Sequence, residues 1–273
     1  MIGAIRIFLV LAAFAALSLS LIPVQYLFLR LEGAWKRRLP NFFHRIVARL
    51  FGFRIATVGD MEQGRPLLLV SNHISWSDIV VLSSVGQVSF IAKSEVRNWP
   101  LFGMFAVLQR TVFVERERRG KTAQQTSEIA TRLVNGDVMV LFPEGTTSDG
   151  NRVLPFKTAL FGAAHAAIRE AGVAEVIVQP VAIAYTGVHG MAMGRYFRPI
   201  ASWPGDVELL PHLKGILREG AIDVEVRFGE PVVVTAATNR KGLARTMESR
   251  VRALMQSALM GREITDDRDD AAV

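Results

Sequence analysis

The chain has 273 residues, half of them hydrophobic, which is enough for one large domain or two small ones. It contains no cysteine, which excludes disulfide bonds, thiolate metal sites and cysteine nucleophiles, and its five histidines are scattered, which argues against a metal site. The net charge of +7 and a pI near 10.2 favour an anionic partner, either a membrane surface, an acidic protein or nucleic acid.

The first predicted element is a helix over the uncharged run of residues 7–29. As an α-helix these 23 residues would extend about 34 Å, enough to cross a hydrocarbon core of roughly 30 Å. Only Arg6 precedes the run, whereas six basic residues follow it within residues 30–49. Because basic residues mark the cytoplasmic side of a span, we predict an enzyme of the inner membrane whose body faces the cytoplasm.

Two other interpretations of the N-terminus stay open. The small residues of "AAFAAL" are compatible with a cleaved signal peptide. Residues 39–51 also have the pattern of an amphipathic helix, so that residues 1–52 would form an interfacial rather than a spanning membrane anchor. Since the basic residues crowd beside this anchor, we expect a membrane and no nucleic acid as the partner.

Beyond the anchor, predicted strands and helices alternate, which indicates an α/β fold. Strands are predicted at 66–70, 88–92, 111–115, 138–142, 176–183 and 223–228, and helices at 78–84, 121–135 and 158–170. A last helix has Leu243, Met247, Val251 and Leu254 on one face, which we expect to pack on the sheet. We predict a single domain at 53–260, with a mostly buried mixed sheet flanked by helices, and a disordered acidic tail at 261–273.

A histidine and an aspartate stand where the strand at 66–70 gives way to a helix. His73 and Asp78 are about 140° apart on an ideal helix, so they meet only if His73 precedes the helix and Asp78 lies in its first turn. An aspartate bonded to one imidazole nitrogen leaves the other nitrogen as a general base. The alternative is a loop histidine beside a helix-capping aspartate. Because no G-x-S-x-G nucleophile motif is present, the base would activate a hydroxyl of the substrate.

A second polar segment follows the strand at 138–142. Pro143 ends that strand, and Glu144 and Gly145 follow in a turn, where glycine allows a ligand close to the backbone and the glutamate can accept hydrogen bonds. An ordinary strand-to-loop exit is the alternative.

Together these segments resemble the glycerolipid acyltransferase family, which includes the 1-acylglycerol-3-phosphate acyltransferases. The family's first block, N-H-x-x-x-x-D, matches Asn72, His73 and Asp78. The second block matches "AKSEV", with Lys93, and "FVER", with Arg116. The third, F-P-E-G-T, matches residues 142–146, and the fourth matches "VQPVAI", with Pro180. Four blocks in order over roughly residues 50–230 are far more specific than any single one. The longer segments around Lys93 and Thr147 are most similar to bacterial lyso-ornithine lipid O-acyltransferases.

The resemblance implies roles for these residues. His73 is the base and Asp78 its orienting partner, while substrates are bound by Lys93, Arg116, Glu144, Gly145, Thr146 and Thr147. The acyl donor would be acyl carrier protein or acyl-CoA, the acceptor a lysolipid hydroxyl, and no metal or organic cofactor is needed. We expect backbone N–H groups near the glutamate loop to stabilise the oxyanion.

Two departures from the family pattern bear on the acceptor and on a turn. Where many lysophosphatidate enzymes have F-P-E-G-T-R, this chain has Thr147, which cannot bind a phosphate as arginine does, although Arg152 lies close in sequence. Arg110 and Thr111 stand where the second block usually begins with glycine. We therefore predict lyso-ornithine lipid as the acceptor. The alternative acceptor is 1-acyl-sn-glycerol-3-phosphate, and the alternative to an enzyme is an inactive membrane-anchored lipid-binding protein.

Overall fold

The computed structural model describes residues 2–31, 33–63, 66–114, 119–162, 165, 168–169, 173–205 and 207–262. Its helices are α1 (Ile2–Arg30), α2 (Trp35–Phe51), α3 (Ser77–Val85), α4 (Phe102–Leu108), α5 (Arg119–Val134), α6 (Leu209–Glu219) and α7 (Arg240–Leu259). Its strands are β1 (Phe53–Val58), β2 (Leu67–Ser71), β3 (Val88–Lys93), β4 (Val112–Val114), β5 (Val138–Leu141), β6 (Val176–Val188), β7 (Met191–Ala192), β8 (Ile222–Phe228) and β9 (Val232–Val234).

The strands form one mixed sheet, as the sequence predicts, in the order β1-β8-β6-β2-β5-β3-β4, with β7 and β9 paired to β6. The neighbours β6, β2, β5, β3 and β4 are parallel, whereas β8 runs antiparallel to β6. Four of the parallel strands, β2, β5, β3 and β4, therefore end on the same side of the sheet, which we call the carboxyl edge. The opposite side is the amino edge.

Burial explains why the central strands are continuous apolar runs. β2 and the first half of β6 are buried on both faces, so neither face selects polar residues. β8 instead alternates buried and half-buried residues over its first half, as the period of two predicts. The face of α7 with Leu243, Met247, Val251 and Leu254 is buried against the sheet, which confirms that prediction.

Two sequence predictions at the periphery have different outcomes. The helix predicted at 158–170 begins instead as a short 3-10 turn at Thr158–Phe161, and much of the remainder (163–164, 166–167 and 170) lies outside the described residues. The acidic tail from residue 263 onward also lies outside them. It stays a prediction.

Helix α1 is long and apolar enough to cross a membrane. One stripe of the helix nevertheless packs on the rest of the protein. The ring of Phe14 lies 5.8 Å from that of Phe105 in α4, the Arg6 guanidinium donates to the carbonyl of Gly220 (3.3 Å), and Gln25 Nε2 donates to the carbonyl of Leu108 (2.9 Å). The remaining faces of α1 expose large apolar side chains such as Leu19.

Candidate active site

The loop that follows β2 is fixed by a buried asparagine. Asn72 Oδ1 accepts the N–H of Ile183 (2.8 Å), and its Nδ2 donates to the carbonyl of the same residue (2.9 Å). This pair of bonds continues the β2–β6 pairing by one residue after the strand itself has ended. The backbone that leads to His73 is thereby held against the sheet.

His73 and Asp78 meet as the sequence predicts. Nδ1 of His73 lies 2.8 Å from Oδ2 of Asp78, because the histidine precedes α3 and the aspartate lies in its first turn. The same Oδ2 accepts the backbone N–H groups of Ile74 (2.7 Å) and Ser75 (2.9 Å). Asp78 is fully buried, so these donors replace the water that its carboxylate would otherwise bind.

A third polar side chain belongs to this network and was missed in the sequence. The hydroxyl of Tyr185 in β6 donates to Asp78 Oδ1 (2.8 Å), and it accepts from Ser77 Oγ (2.6 Å). Burial and the neighbouring Asp78 raise the pKa of the Tyr185 hydroxyl well above its usual range, so it remains a donor. The available signal was a tyrosine within a strand predicted to be buried, since a buried hydroxyl needs a partner.

The imidazole of His73 is packed on one face and partly exposed. The ring of His73 stacks on Phe142 at 4.1 Å with an interplanar angle of 13°, and the side chain is 21% exposed. With Nδ1 donating to Asp78, Nε2 carries a lone pair, and it has no hydrogen-bond partner among the described residues. A base with this geometry accepts a proton from a group that enters from outside.

Glu144 lies behind this loop and joins two segments. It is buried, its Oε1 accepts the N–H of His73 (2.8 Å), and its Oε2 accepts the N–H of Leu154 (3.0 Å). Burial raises the pKa of the Glu144 carboxyl to about 8, although the two N–H bonds act in the opposite direction. Gly145 follows with φ +73, a conformation that favours glycine and turns the chain back toward His73.

The segment after Gly145 packs on the histidine loop. Ser148 N–H donates to the carbonyl of His73 (2.8 Å), and the hydroxyl of Thr147 donates to the carbonyl of Trp203, whose own N–H donates to the carbonyl of Ile74 (2.9 Å). The one hydroxyl hydrogen of Thr147 is therefore used inside the protein. Thr146 is exposed. The N–H groups of Thr146 and Thr147 have no acceptor within the described part of the chain.

The basic residues predicted to bind substrate follow neighbouring strands. Lys93 is the last residue of β3 and is exposed, and it therefore lies at the carboxyl edge with His73 and Glu144. Arg116 follows β4, but it lies outside the described residues.

Arg110, which replaces the family's usual glycine, is tied to a buried aspartate at the amino edge. Its φ is +61, a backbone conformation that costs energy for any residue with a side chain. Its guanidinium binds both oxygens of Asp137 (2.9 and 2.8 Å), and Arg132 and Arg37 bind the same carboxylate. Burial alone would raise the pKa of Asp137, but the hydrogen bonds from Arg110 and Arg132 outweigh burial and lower it.

Comparisons with known proteins agree with this geometry. A sequence profile described as "Acyltransferase" matches residues 53–184. The chain is 85% identical to a lyso-ornithine lipid O-acyltransferase of Brucella abortus, over 97% of this chain and all of the relative. It is 51% identical to a protein of the same name from Rhizobium meliloti, over 96% of this chain and 90% of the relative.

A solved structure has the same fold. The 1-acyl-sn-glycerophosphate acyltransferase of Thermotoga maritima superimposes with a TM-score of 0.62 at 22% identity, over 96% of this chain and all of that one. Fold, histidine–aspartate pair and sequence identity lead to one conclusion: this chain is an acyltransferase and belongs to the acyltransferase family that includes the lyso-ornithine lipid O-acyltransferases.

Proposed function

We propose that the chain transfers a fatty acyl group from acyl carrier protein or acyl-CoA to the free hydroxyl of lyso-ornithine lipid, giving ornithine lipid. The observation that carries this proposal is the dyad, in which Asp78 holds His73 Nδ1 while Nε2 has no partner among the described residues and the side chain is partly exposed. The acceptor is taken from the name of the relative that is 85% identical over nearly the whole chain.

The reaction proceeds by direct attack. Nε2 of His73 takes the proton of the acceptor hydroxyl as its oxygen attacks the thioester carbonyl, and a tetrahedral oxyanion forms. The oxyanion collapses to the ester and expels the thiolate, which takes the proton back from the imidazolium. Asp78 orients the ring and stabilises its charge in between, and general-base assistance of this kind contributes roughly 10²–10⁴-fold in rate.

The oxyanion needs donors that are not already used. Among the backbone N–H groups of the loop after Glu144, those of Thr146 and Thr147 have no acceptor within the described residues, and we assign the oxyanion to them. In this scheme Glu144 is a positioning residue. By bonding the N–H of His73 it sets the loop of the base against the loop of the oxyanion donors.

Thr147 favours an acceptor without a phosphate. A phosphate monoester carries about −1.5 to −2 charge near neutral pH and is best bound by an arginine fork. Threonine has no charge, and here its hydroxyl hydrogen is given to Trp203. The ornithine head group has a carboxylate and an ammonium instead. We assign the carboxylate to Lys93, which is exposed at the carboxyl edge, and the ammonium to an acidic group near the site.

The donor is steered by the charge of the protein as a whole. Acyl carrier protein is acidic and the CoA moiety carries phosphates, so a chain with a net charge of +7 attracts either one. Arg116, two residues beyond β4, is our candidate for a direct contact.

We further propose that α1 lies along the inner membrane with the body of the protein on the cytoplasmic side. The helix is bonded to the domain at Arg6 and again at Gln25, which are about 28 Å apart along its axis. If α1 crossed the bilayer, the domain would have to enter the hydrocarbon with it. An interfacial helix, with its exposed apolar face in the lipid, avoids that cost.

An acceptor competition assay tests the function. Purified protein is given lyso-ornithine lipid or lysophosphatidate with the same labelled acyl donor. We expect a higher kcat/KM with lyso-ornithine lipid, and we expect Thr147→Arg to shift the preference toward lysophosphatidate by about ten-fold. A wild-type preference for lysophosphatidate that Arg152→Ala abolishes would mean that a phosphate site exists and uses Arg152.

A topology assay tests the location. A reporter that works only in the cytoplasm, fused to the C-terminus, is expected to be active, and a periplasmic reporter at the same position is expected to be silent. The reverse pattern would overturn the proposed orientation.

A further inference from the structure

Two turns beside the active site present large apolar side chains to solvent. One is the turn of residues 99–101, with Trp99 and with Leu101 at 68% exposure. The other is the turn of residues 195–197, with Tyr196 at 86% exposure and Phe197 also exposed. We call these four side chains the apolar rim.

Both turns border the loops that form the site. The ring of Trp99 lies edge-on to that of Trp203 at 6.2 Å, and Trp203 is bonded through its backbone N–H to Ile74, the residue after His73. On the other side, Arg198 Nη1 donates to Asn151 Oδ1 (2.6 Å), in the loop that follows Glu144. The rim therefore lies beside the loops that follow His73 and Glu144.

The first turn is held in a strained conformation that exposes a leucine. Leu101 has φ +61, although it carries a branched side chain. The turn is locked by the bond from Gly103 N–H to the carbonyl of Trp99 (2.9 Å), and a Cβ at Gly103 would come within 2.0 Å of the carbonyl oxygen of Arg97. In water this turn is unfavourable in two respects, because its backbone is strained and its apolar side chain is exposed. Strained residues of this kind persist where they serve a function.

The first turn of the rim is continuous with α1, the helix that we propose to lie along the membrane. α4 begins directly after the first turn, and its Phe105 packs on Phe14 of α1. Tryptophan and tyrosine prefer the boundary between lipid and water. Arg97 lies two residues before the first rim turn and Arg195 is the first residue of the second, and both suit anionic head groups.

We propose that the apolar rim inserts into the lipid–water interface beside the histidine loop, so that the lysolipid acceptor passes from the bilayer to His73 without crossing bulk water. The proposal rests on the interfacial orientation of α1 proposed above. The partner is a lipid surface. An acidic carrier protein would be recognised mainly by basic side chains, whereas the four rim residues are aromatic or aliphatic.

The absence of cysteine from the chain allows a direct test. Single variants Leu101→Cys and Tyr196→Cys are labelled with an environment-sensitive fluorophore and mixed with vesicles of phosphatidylglycerol and phosphatidylethanolamine. Val233→Cys is the matched control. Val233 is 48% exposed, but it lies on β9 beside the start of β6, at the amino edge. Phe8→Cys on the exposed face of α1 reports membrane binding as such.

With vesicles, the labels at 101 and 196 are expected to shift to the blue and to be quenched by brominated lipids, as the label at 8 is, while the label at 233 is unchanged. The proposal is overturned if the label at 8 is quenched and those at 101 and 196 remain in water. It is also overturned if they respond to acyl carrier protein and not to vesicles. If the label at 8 itself is not quenched, the proposed orientation of α1 fails, and the rim proposal fails with it.

A kinetic test separates the rim from the chemistry. Leu101→Asn with Tyr196→Ser removes apolar surface from both turns, and asparagine tolerates the left-handed backbone. We expect the apparent KM for lysolipid in vesicles to rise roughly ten-fold, the loss expected for one large apolar contact with lipid, and the rate on a short-chain, water-soluble acceptor to stay unchanged. Equal losses on both acceptors would overturn the rim's role. No transfer to lyso-ornithine lipid by the wild type would instead contradict the proposed function.

Discussion

Two buried aspartates, at opposite edges of the same sheet, are used in opposite ways. Asp137, just before β5, is surrounded by the guanidinium groups of Arg110, Arg132 and Arg37. Asp78, just after β2, accepts two backbone N–H groups, the hydroxyl of Tyr185 and one nitrogen of His73. Every partner of the Asp137 carboxylate is an arginine guanidinium of the protein itself. At Asp78 one partner is the His73 ring, whose second nitrogen has no partner among the described residues.

The difference shows how a buried carboxylate can serve either to hold helices together or, in the mechanism proposed above, to support a base. A carboxylate saturated by guanidinium groups is fixed in charge and geometry, and it ties α2, α5 and the turn before β4 together. A carboxylate held by neutral donors keeps its charge available to the one partner that can become positive. Only the second arrangement stabilises an imidazolium that forms during a reaction.

The comparison predicts its largest effect at His73. His73→Ala is expected to lower kcat by about 10³–10⁴-fold, because it removes the base and leaves only binding and the oxyanion donors. Folding should be retained, since the His73 side chain is partly exposed and the bond from its backbone N–H to Glu144 does not need the ring. Single-turnover rates and circular dichroism check both expectations. Activity within a few-fold of wild type would exclude His73 as the base.

Asp78→Asn should cost less, about 10²-fold in kcat. If the amide nitrogen takes the place of Oδ1, the hydroxyl of Tyr185 can turn to accept from it and donate to Ser77, so the geometry survives while the charge is lost. Steady-state kinetics beside the melting temperature measure this. If kcat is unchanged in a folded variant, the carboxylate charge has no part in catalysis.

Asp137→Asn tests whether the second aspartate contributes to stability and not to catalysis. We expect it to lower the free energy of unfolding by about 3 kcal/mol, because three guanidinium groups then lack their shared anion. The kcat/KM at a temperature where the variant is folded should stay within about three-fold of wild type, the scale of a minor perturbation. Denaturant titration and kinetics on the same sample test this. Loss of kcat without loss of stability would mean that the two aspartates are not functionally distinct.

Tyr185→Phe gives the smallest expected effect. It removes one hydrogen bond to Asp78 and leaves the Ser77 hydroxyl without its acceptor, at a cost of about 1 kcal/mol in stability. kcat should fall only a few-fold, because the bond between His73 and Asp78 remains. Tyr26→Phe, at an exposed position, is the control and should change neither quantity. A loss of kcat as large as that of Asp78→Asn would make Tyr185 as important as the aspartate itself.

Much of the site was predictable because its residues are close in sequence. His73 and Asp78 are five positions apart, so the geometry of one strand end and one helix start decides whether they meet. Tyr185 was missed because it is 107 positions from Asp78, and only the parallel pairing of β6 with β2 brings it close. The predicted helix from residue 158 begins instead with a 3-10 turn. The residue before that turn is held beside the glutamate loop by the bond from the N–H of Lys157 to the carbonyl of Pro143.

The sequence by itself determined the α/β alternation, the apolar N-terminal helix and the acyltransferase motifs with their histidine and aspartate, because these depend on local pattern and spacing. The tertiary structure decided what the side chains do. Glu144 became a buried link between two loops, the hydroxyl of Thr147 was taken by Trp203, and Arg110 acquired the aspartate that offsets its strained backbone. Each of these depends on segments that are distant in sequence and adjacent only in the folded chain, a proximity that no local pattern encodes.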